Sequence, residues 1–230
     1  MNKIHTTTLR EYETTEEMIS AAELFLNNGR LDFSETLARE ALRNDQTNSD
    51  AIAVLGILAY KTGNLQQAQK ILFKATEISP GNALHHFRLG NIYHDLGSLD
   101  AAINSYRESI KIDPDFSGAL VNLSNALLAQ KKYTQAEEYA LRAIENRPQS
   151  AEAYSNLGQT YMKQGRLADA HHELKRAVTL EPHRFDLQNN LGVLQQLSGH
   201  VDDAIATFQS ILKTDPHARL AERNLKIAVL

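Results

Sequence analysis

Asn122, Asn156 and Asn190 stand 34 residues apart, and each carboxamide offers both a hydrogen-bond donor and an acceptor. Such a series suits hydrogen bonding along the main chain of an extended peptide, which presents donors and acceptors at regular intervals. Asparagine is a mediocre helix former, so three in register within helical sequence ask for a reason of this kind. The same amides have a second use: bonding a neighbouring helix, or one another across the period, without touching a ligand. Asn224 continues the interval, and other polar residues keep the same beat: Asn91, Asn125 and Gln159 form one further series. Arg88 lies one period before Asn122, Asn189 adjoins Asn190, and His94 follows Asn91 by three residues.

No constellation for catalysis accompanies these groups. His85-His86 and His171-His172 are adjacent pairs, and adjacent helical side chains point about 100° apart. Neither pair has another histidine three or four residues away to complete a chelating face. The acid pairs Glu16-Glu17, Glu137-Glu138 and Asp202-Asp203 read as solvated helix faces. Glycines are spaced rather than clustered, which leaves no phosphate-cradling loop, and no nucleophile motif surrounds any serine. The absence of cysteine excludes disulfides and thiolate sites. The chain therefore reads as a non-enzyme with neither a metal nor a cofactor. A net charge of −4 with interspersed signs gives no basic footprint for nucleic acid. Apolar runs are too short to cross a bilayer, and residues 1–14 lack the apolar core of a secretory signal. The expectation is a cytoplasmic protein without nucleic-acid or membrane partners.

The elements that must position the amides follow from the same period. Gly56, Gly90, Ser124, Gly158 and Gly192 form one series; Ala68, Ala102, Ala136, Ala170 and Ala204 form a second; Pro80, Pro114, Pro148, Pro182 and Pro216 form a third. Three series in one phase mark an array of helix–turn–helix units. Small residues belong where two helices cross, because they let the axes approach to about 8–10 Å. Gly29, Gly63, Gly97, Gly165 and Gly199 fall where the first helix of each unit ends in a left-handed turn. Lys131 interrupts that series and predicts a strained or differently closed turn. The prolines stop the second helix, since proline lacks the amide donor and clashes with the preceding turn.

These residues resemble the tetratricopeptide repeat family along nearly the whole chain. With the first glycine series at position 8, the repeats run 15–48, 49–82, 83–116, 117–150, 151–184 and 185–218. Residues 1–14 form an N-terminal extension, and 219–230 a C-terminal helix that is either a cap or the first helix of a seventh unit. The resemblance implies an all-α, right-handed superhelical solenoid of helix–turn–helix tetratricopeptide repeats. The first repeat is irregular, with Ala22, Ser34 and Gln46 at the glycine, alanine and proline places, as end repeats often are. Thr14 and Glu17 read as a capping box.

In that family the first helices line a concave groove, and positions 2, 5, 6, 9, 12 and 13 point into it. The resemblance thus places Asn122, Asn156, Asn190 and Arg88 (position 6), Asn91, Asn125 and Gln159 (position 9), Asn189 (position 5) and His94 (position 12) in a peptide-binding groove. The register is similar to the asparagine ladder in the repeat arms of protein O-GlcNAc transferases. It departs from the clamp with which related domains grip the terminal carboxylate of heat-shock chaperones. Asn91 and Asn122 fit that clamp, but Phe87, Glu152 and Asn156 occupy its cationic places, so charge-assisted bonds to a carboxylate are lost.

The leading function is a protein–protein interaction scaffold that binds an extended polypeptide in its groove. Alternatives are the substrate-recruiting arm of a larger enzyme such as a glycosyltransferase, and a homo-oligomeric scaffold assembled through the C-terminal helix. Replacing Asn122, Asn156 and Asn190 together by alanine is expected to spare the fold.

Overall fold

The computed structural model describes Tyr12 and residues 14–229. Apart from Tyr12 and Thr14, the expected N-terminal extension lies outside the described residues, as does Leu230. Among the described residues the chain forms thirteen α-helices and no strand. Its contacts divide at Pro114 and Asp115 into two compact units.

The first unit holds three helical hairpins: α1 (Thr15–Asn27) with α2 (Leu31–Asn44), α3 (Ser49–Lys61) with α4 (Leu65–Ile78), and α5 (Ala83–Asp95) with α6 (Leu99–Ile112). The second holds α7 (Ser117–Ala129) with α8 (Tyr133–Asn146), α9 (Ala151–Lys163) with α10 (Leu167–Leu180), α11 (Phe185–Leu197) with α12 (Val201–Thr214), and a single helix α13 (Arg219–Ala228). Within each unit the first helices of successive hairpins pack side by side, as do neighbouring hairpins.

Local chemistry sets the helix limits. Thr14 and Glu17 close a reciprocal capping box at α1, and Asn48, Asn82 and Ser150 cap α3, α5 and α9 through their side chains. Each satisfies amides that have no partner inside the helix. The second helices α4, α6, α8, α10 and α12 all end two residues before the proline of their repeat, which marks the proline as the stop.

The turn inside each hairpin uses a left-handed residue: Gly29, Gly63, Gly97, Gly165 and Gly199 have φ between 74° and 83°, and Lys131 has φ 61°. The Lys131 turn closes as the glycine turns do, with its amide donating to Leu128 O at 2.9 Å and the Lys132 amide to Leu127 O at 2.9 Å. A differently closed turn is therefore excluded, and strain in an L-residue is what remains. Lys131→Gly should raise unfolding stability by roughly 0.5–1 kcal/mol, the left-handed penalty less the added entropy of the unfolded chain. An unchanged denaturation midpoint would show that the surrounding turn absorbs the strain.

Packing inside each hairpin is a size match between position 8 of the first helix and position 24 of the period. A Cβ on Gly56 would come within 2.8 Å of Leu72, on Gly90 within 2.5 Å of the Tyr106 ring, on Gly158 within 2.7 Å of Leu174, and on Gly192 within 2.6 Å of the Phe208 ring. Where position 8 carries a side chain, the partner shrinks: Ser124 goes with Ala140 and Ala22 with Ala38, all four fully buried. The alanines at position 20 (Ala68, Ala102, Ala136, Ala170, Ala204) are likewise sealed from solvent.

Candidate functional site

In the first unit the first-helix face is cross-braced by charge. Arg88 on α5 reaches past α3 to Glu23 on α1, Nη2 to Oε1 at 2.7 Å. The Tyr60 hydroxyl on α3 donates to Asp95 on α5 at 2.6 Å, which raises the phenol pKa above its ordinary value. His94, half-buried, lies 3.2 Å from the neighbouring carboxylate of Asp95. Asn91 accepts from the Tyr106 hydroxyl at 2.9 Å, tying α5 to α6. Beneath this layer His85 is wholly buried, with neither ring nitrogen hydrogen-bonded among the described residues. Burial pushes its pKa down, and Asp50, 3.4 Å away, only partly opposes that. The neutral imidazole is the form this pocket favours.

The second unit treats its amides differently. Asn156 on α9 is only 5% exposed. Its Nδ2 donates to Val121 O at 3.0 Å and to Ser124 Oγ at 2.9 Å, both on α7. Asn190 on α11 donates to Ser155 Oγ on α9 at 3.1 Å. Asn224 on α13 donates to Asn189 Oδ1 on α11 at 2.9 Å. Val121, Ser155 and Asn189 all occupy position 5 of their repeats. Asn156, Asn190 and Asn224, at position 6, thus each fasten their helix to position 5 of the preceding first helix, through backbone in one case and side chain in the other two.

This regularity separates the members of the ladder. Asn156 differs from the other two in that its amide is sealed between helices. Asn189, expected to face a ligand, is buried as the acceptor for Asn224. Asn125 is exposed, with Nδ2 3.5 Å from Asn156 Oδ1. Gln159 is half-buried and donates to Ser155 Oγ at 3.3 Å; Asn190 and Asn122 are half-buried. Ser155, which receives Asn190 and Gln159, was not singled out from sequence, although it adjoins Asn156 at the position that Asn189 holds one repeat later; Ser124 stood out only as the small residue of the glycine series.

Apolar side chains accompany the exposed amides on the first helices. Val121, Leu128, Met162 and Val193 sit half-buried along the same face. Glu152 and Asp186, at position 2 of their repeats, are both bound by Arg184, the second at 2.6 Å. The Arg184 bond holds the Asp186 carboxyl below its ordinary pKa, so it stays ionised and paired. Among the described residues no three histidine, aspartate or glutamate side chains converge as a metal would need. No described helix is long and apolar enough to cross a membrane.

Comparison with known proteins places this arrangement among others. Tetratricopeptide repeat family models match residues 19–83 and 121–171, and a further such model matches 161–223. A TPR repeat model matches 90–131. The type IV pilus assembly protein PilF of Pseudomonas aeruginosa is 31% identical over 97 residues, covering 42% of this chain and 38% of that protein. The small glutamine-rich tetratricopeptide repeat-containing protein 2 of Mycosarcoma maydis is 29% identical over 75 residues, covering 33% of this chain and 21% of that protein. The chain thus spans well under half the length of these curated relatives. Among solved structures, Pseudomonas aeruginosa pilF superposes with a TM-score of 0.79 at 17% identity, over 91% of this chain and 95% of the other. Cut9 with Hcn1 gives 0.81 at 16% identity over 94% of this chain and 43% of that one. YrrB, a TPR protein with an unusual peptide-binding site, gives 0.63 at 18% identity over 82% of this chain and 97% of the other. At such identities these likenesses speak for the fold alone.

Proposed function

Because the chain belongs to the tetratricopeptide repeat family, whose fold is that of a protein–protein interaction scaffold, we propose that it binds an extended peptide along the first helices of its second unit. One observation carries the reading: the amides of Asn125, Gln159 and Asn190 are at least partly open to solvent, with half-buried apolar side chains on the same helices. An Asn or Gln amide that donates to a neighbouring helix keeps acceptor capacity on its oxygen. That oxygen is suited to a peptide N–H. Val121, Leu128, Met162 and Val193 offer apolar contact between the amides, which favours a ligand with uncharged side chains facing inward.

The first unit is less suited to this task, because Arg88 and Asp95 at its groove positions already hold partners across the helices. The role is binding without catalysis, for a protein working in the cytoplasm.

The test is a peptide-display selection on the wild-type protein and on an Asn125→Ala/Gln159→Ala/Asn190→Ala variant in parallel. Peptides enriched on the wild type should bind the variant more weakly by about tenfold or more, equivalent to about 1.4 kcal/mol. Circular dichroism should report the same helix content for both. Equal enrichment on a folded variant would remove this face as the binding site.

A further inference from the structure

We infer that copies of this chain associate head to tail, the outer face of α13 on one copy meeting the outer face of α1 on the next. The two faces differ in charge and agree in exposing apolar side chains. On α13 the packed side consists of Ala221, Asn224 and Ala228. Arg219, Arg223 and Lys226 fall on the opposite side, flanked by Leu220 (57% exposed) and Ile227 (52% exposed). The helix has a single carboxylate, Glu222, which Lys226 holds at 2.6 Å.

Lys226 occupies position 8, where the other repeats carry a glycine or another small residue. A second helix crossing there in the manner of the hairpins would bury a cation, at a cost that an ion pair seldom offsets. The outer face of α13 is therefore built for a different neighbour.

On α1 the packed side consists of Met18, Ala21, Ala22 and Leu26. The outer side carries Glu16, Ser20 and Leu24, the last 60% exposed. Glu17 and Glu23 flank it, and the helix contains no cation. Glu17 closes the capping box and Glu23 also holds Arg88, so both carboxylates are fixed in place at the rim. A basic helix with Leu220 and Ile227 exposed thus finds an acidic helix with Leu24 exposed. Opposed charges orient such a contact and the apolar side chains supply its burial. Because the two faces are different surfaces of one chain, a pair joined by one such contact still presents one face of each kind.

Sedimentation velocity of the wild-type protein across a concentration series tests this. The weight-average mass should rise above that of one chain with concentration, and rise less at high salt, which screens the charges. Leu24→Lys alone, and Arg223→Glu/Ile227→Glu alone, should each hold the protein at the mass of a single chain, since both alter exposed positions and leave the packed faces intact. Mixing these two variants should restore association through the one pair of unaltered faces. A wild-type mass that stays at one chain at every concentration would overturn the inference. So would persistence of dimers in Leu24→Lys, which would indicate α13 pairing with itself, or failure of the mixture to associate.

Discussion

Phe208→Ala is expected to destabilise the second unit by about 3–5 kcal/mol, the cost of removing a fully buried aromatic ring and leaving a cavity. Phe208 is sealed from solvent and lies over Gly192, where α11 crosses α12. Alanine cannot fill that space, and the absent side chain of Gly192 adds to the void. The same geometry makes Gly192→Ala destabilising by roughly 1–3 kcal/mol through overpacking, since its new methyl would stand 2.6 Å from the ring. The double variant Gly192→Ala/Phe208→Ala should then cost clearly less than the two single changes together. It recreates the pair that the first repeat uses naturally, Ala22 with Ala38. Urea denaturation of the four proteins reads the coupling directly. Additive losses would mean that the glycine and the ring do not act as one packing unit.

Asn156→Ala should cost about 1–3 kcal/mol of stability, because it removes two hydrogen bonds between α7 and α9 and leaves the buried Ser124 oxygen without its donor, while Val121 O keeps the Ser124 hydroxyl. Val121 O and Ser124 Oγ both receive Asn156 Nδ2, and water cannot readily replace an amide at a residue only 5% exposed. Asn190→Ala removes one bond, to Ser155 Oγ, at a half-buried position where water can take the vacated site, so its loss should stay below about 1 kcal/mol. The two substitutions look alike in sequence, one period apart in a single series, yet they are expected to separate into a stability effect and a ligand effect. Chemical denaturation of both variants, together with peptide affinity of the Asn190 variant, checks the pair. Equal losses of stability would return the ladder to a uniform structural device. A negligible loss at Asn156 would contradict its placement between α7 and α9.

The period was legible because it states local and near-neighbour constraints directly. Glycine at a left-handed turn, proline after a helix and a small residue at a helix crossing each follow from the covalent chemistry of one residue. That is why the hairpins and their family could be read from residue spacing alone. Lys131 shows the limit of such reading. Its sequence position signalled an irregular turn, but the hydrogen bonds on either side hold that turn in the common geometry and leave only strain.

The site was legible to a smaller degree. Periodicity placed Asn122, Asn156 and Asn190 on corresponding turns of successive first helices, but equal position does not imply equal burial. Burial depends on what the preceding helix offers at position 5, and there the chain varies: backbone at Val121, a hydroxyl at Ser155, an amide at Asn189. The match of Gly192 to Phe208, or of Ala22 to Ala38, is likewise a property of two helices rather than of either one.

By itself, then, the sequence determined the helical repeat, its phase, its stops and the uncharged amide series, since each depends on residues within one period. Only the tertiary structure decided which amides are spent between helices, which remain open, and which large side chain fills each small residue's gap. Those outcomes depend on the close approach of neighbouring helices, where a few tenths of an ångström separate contact from clash.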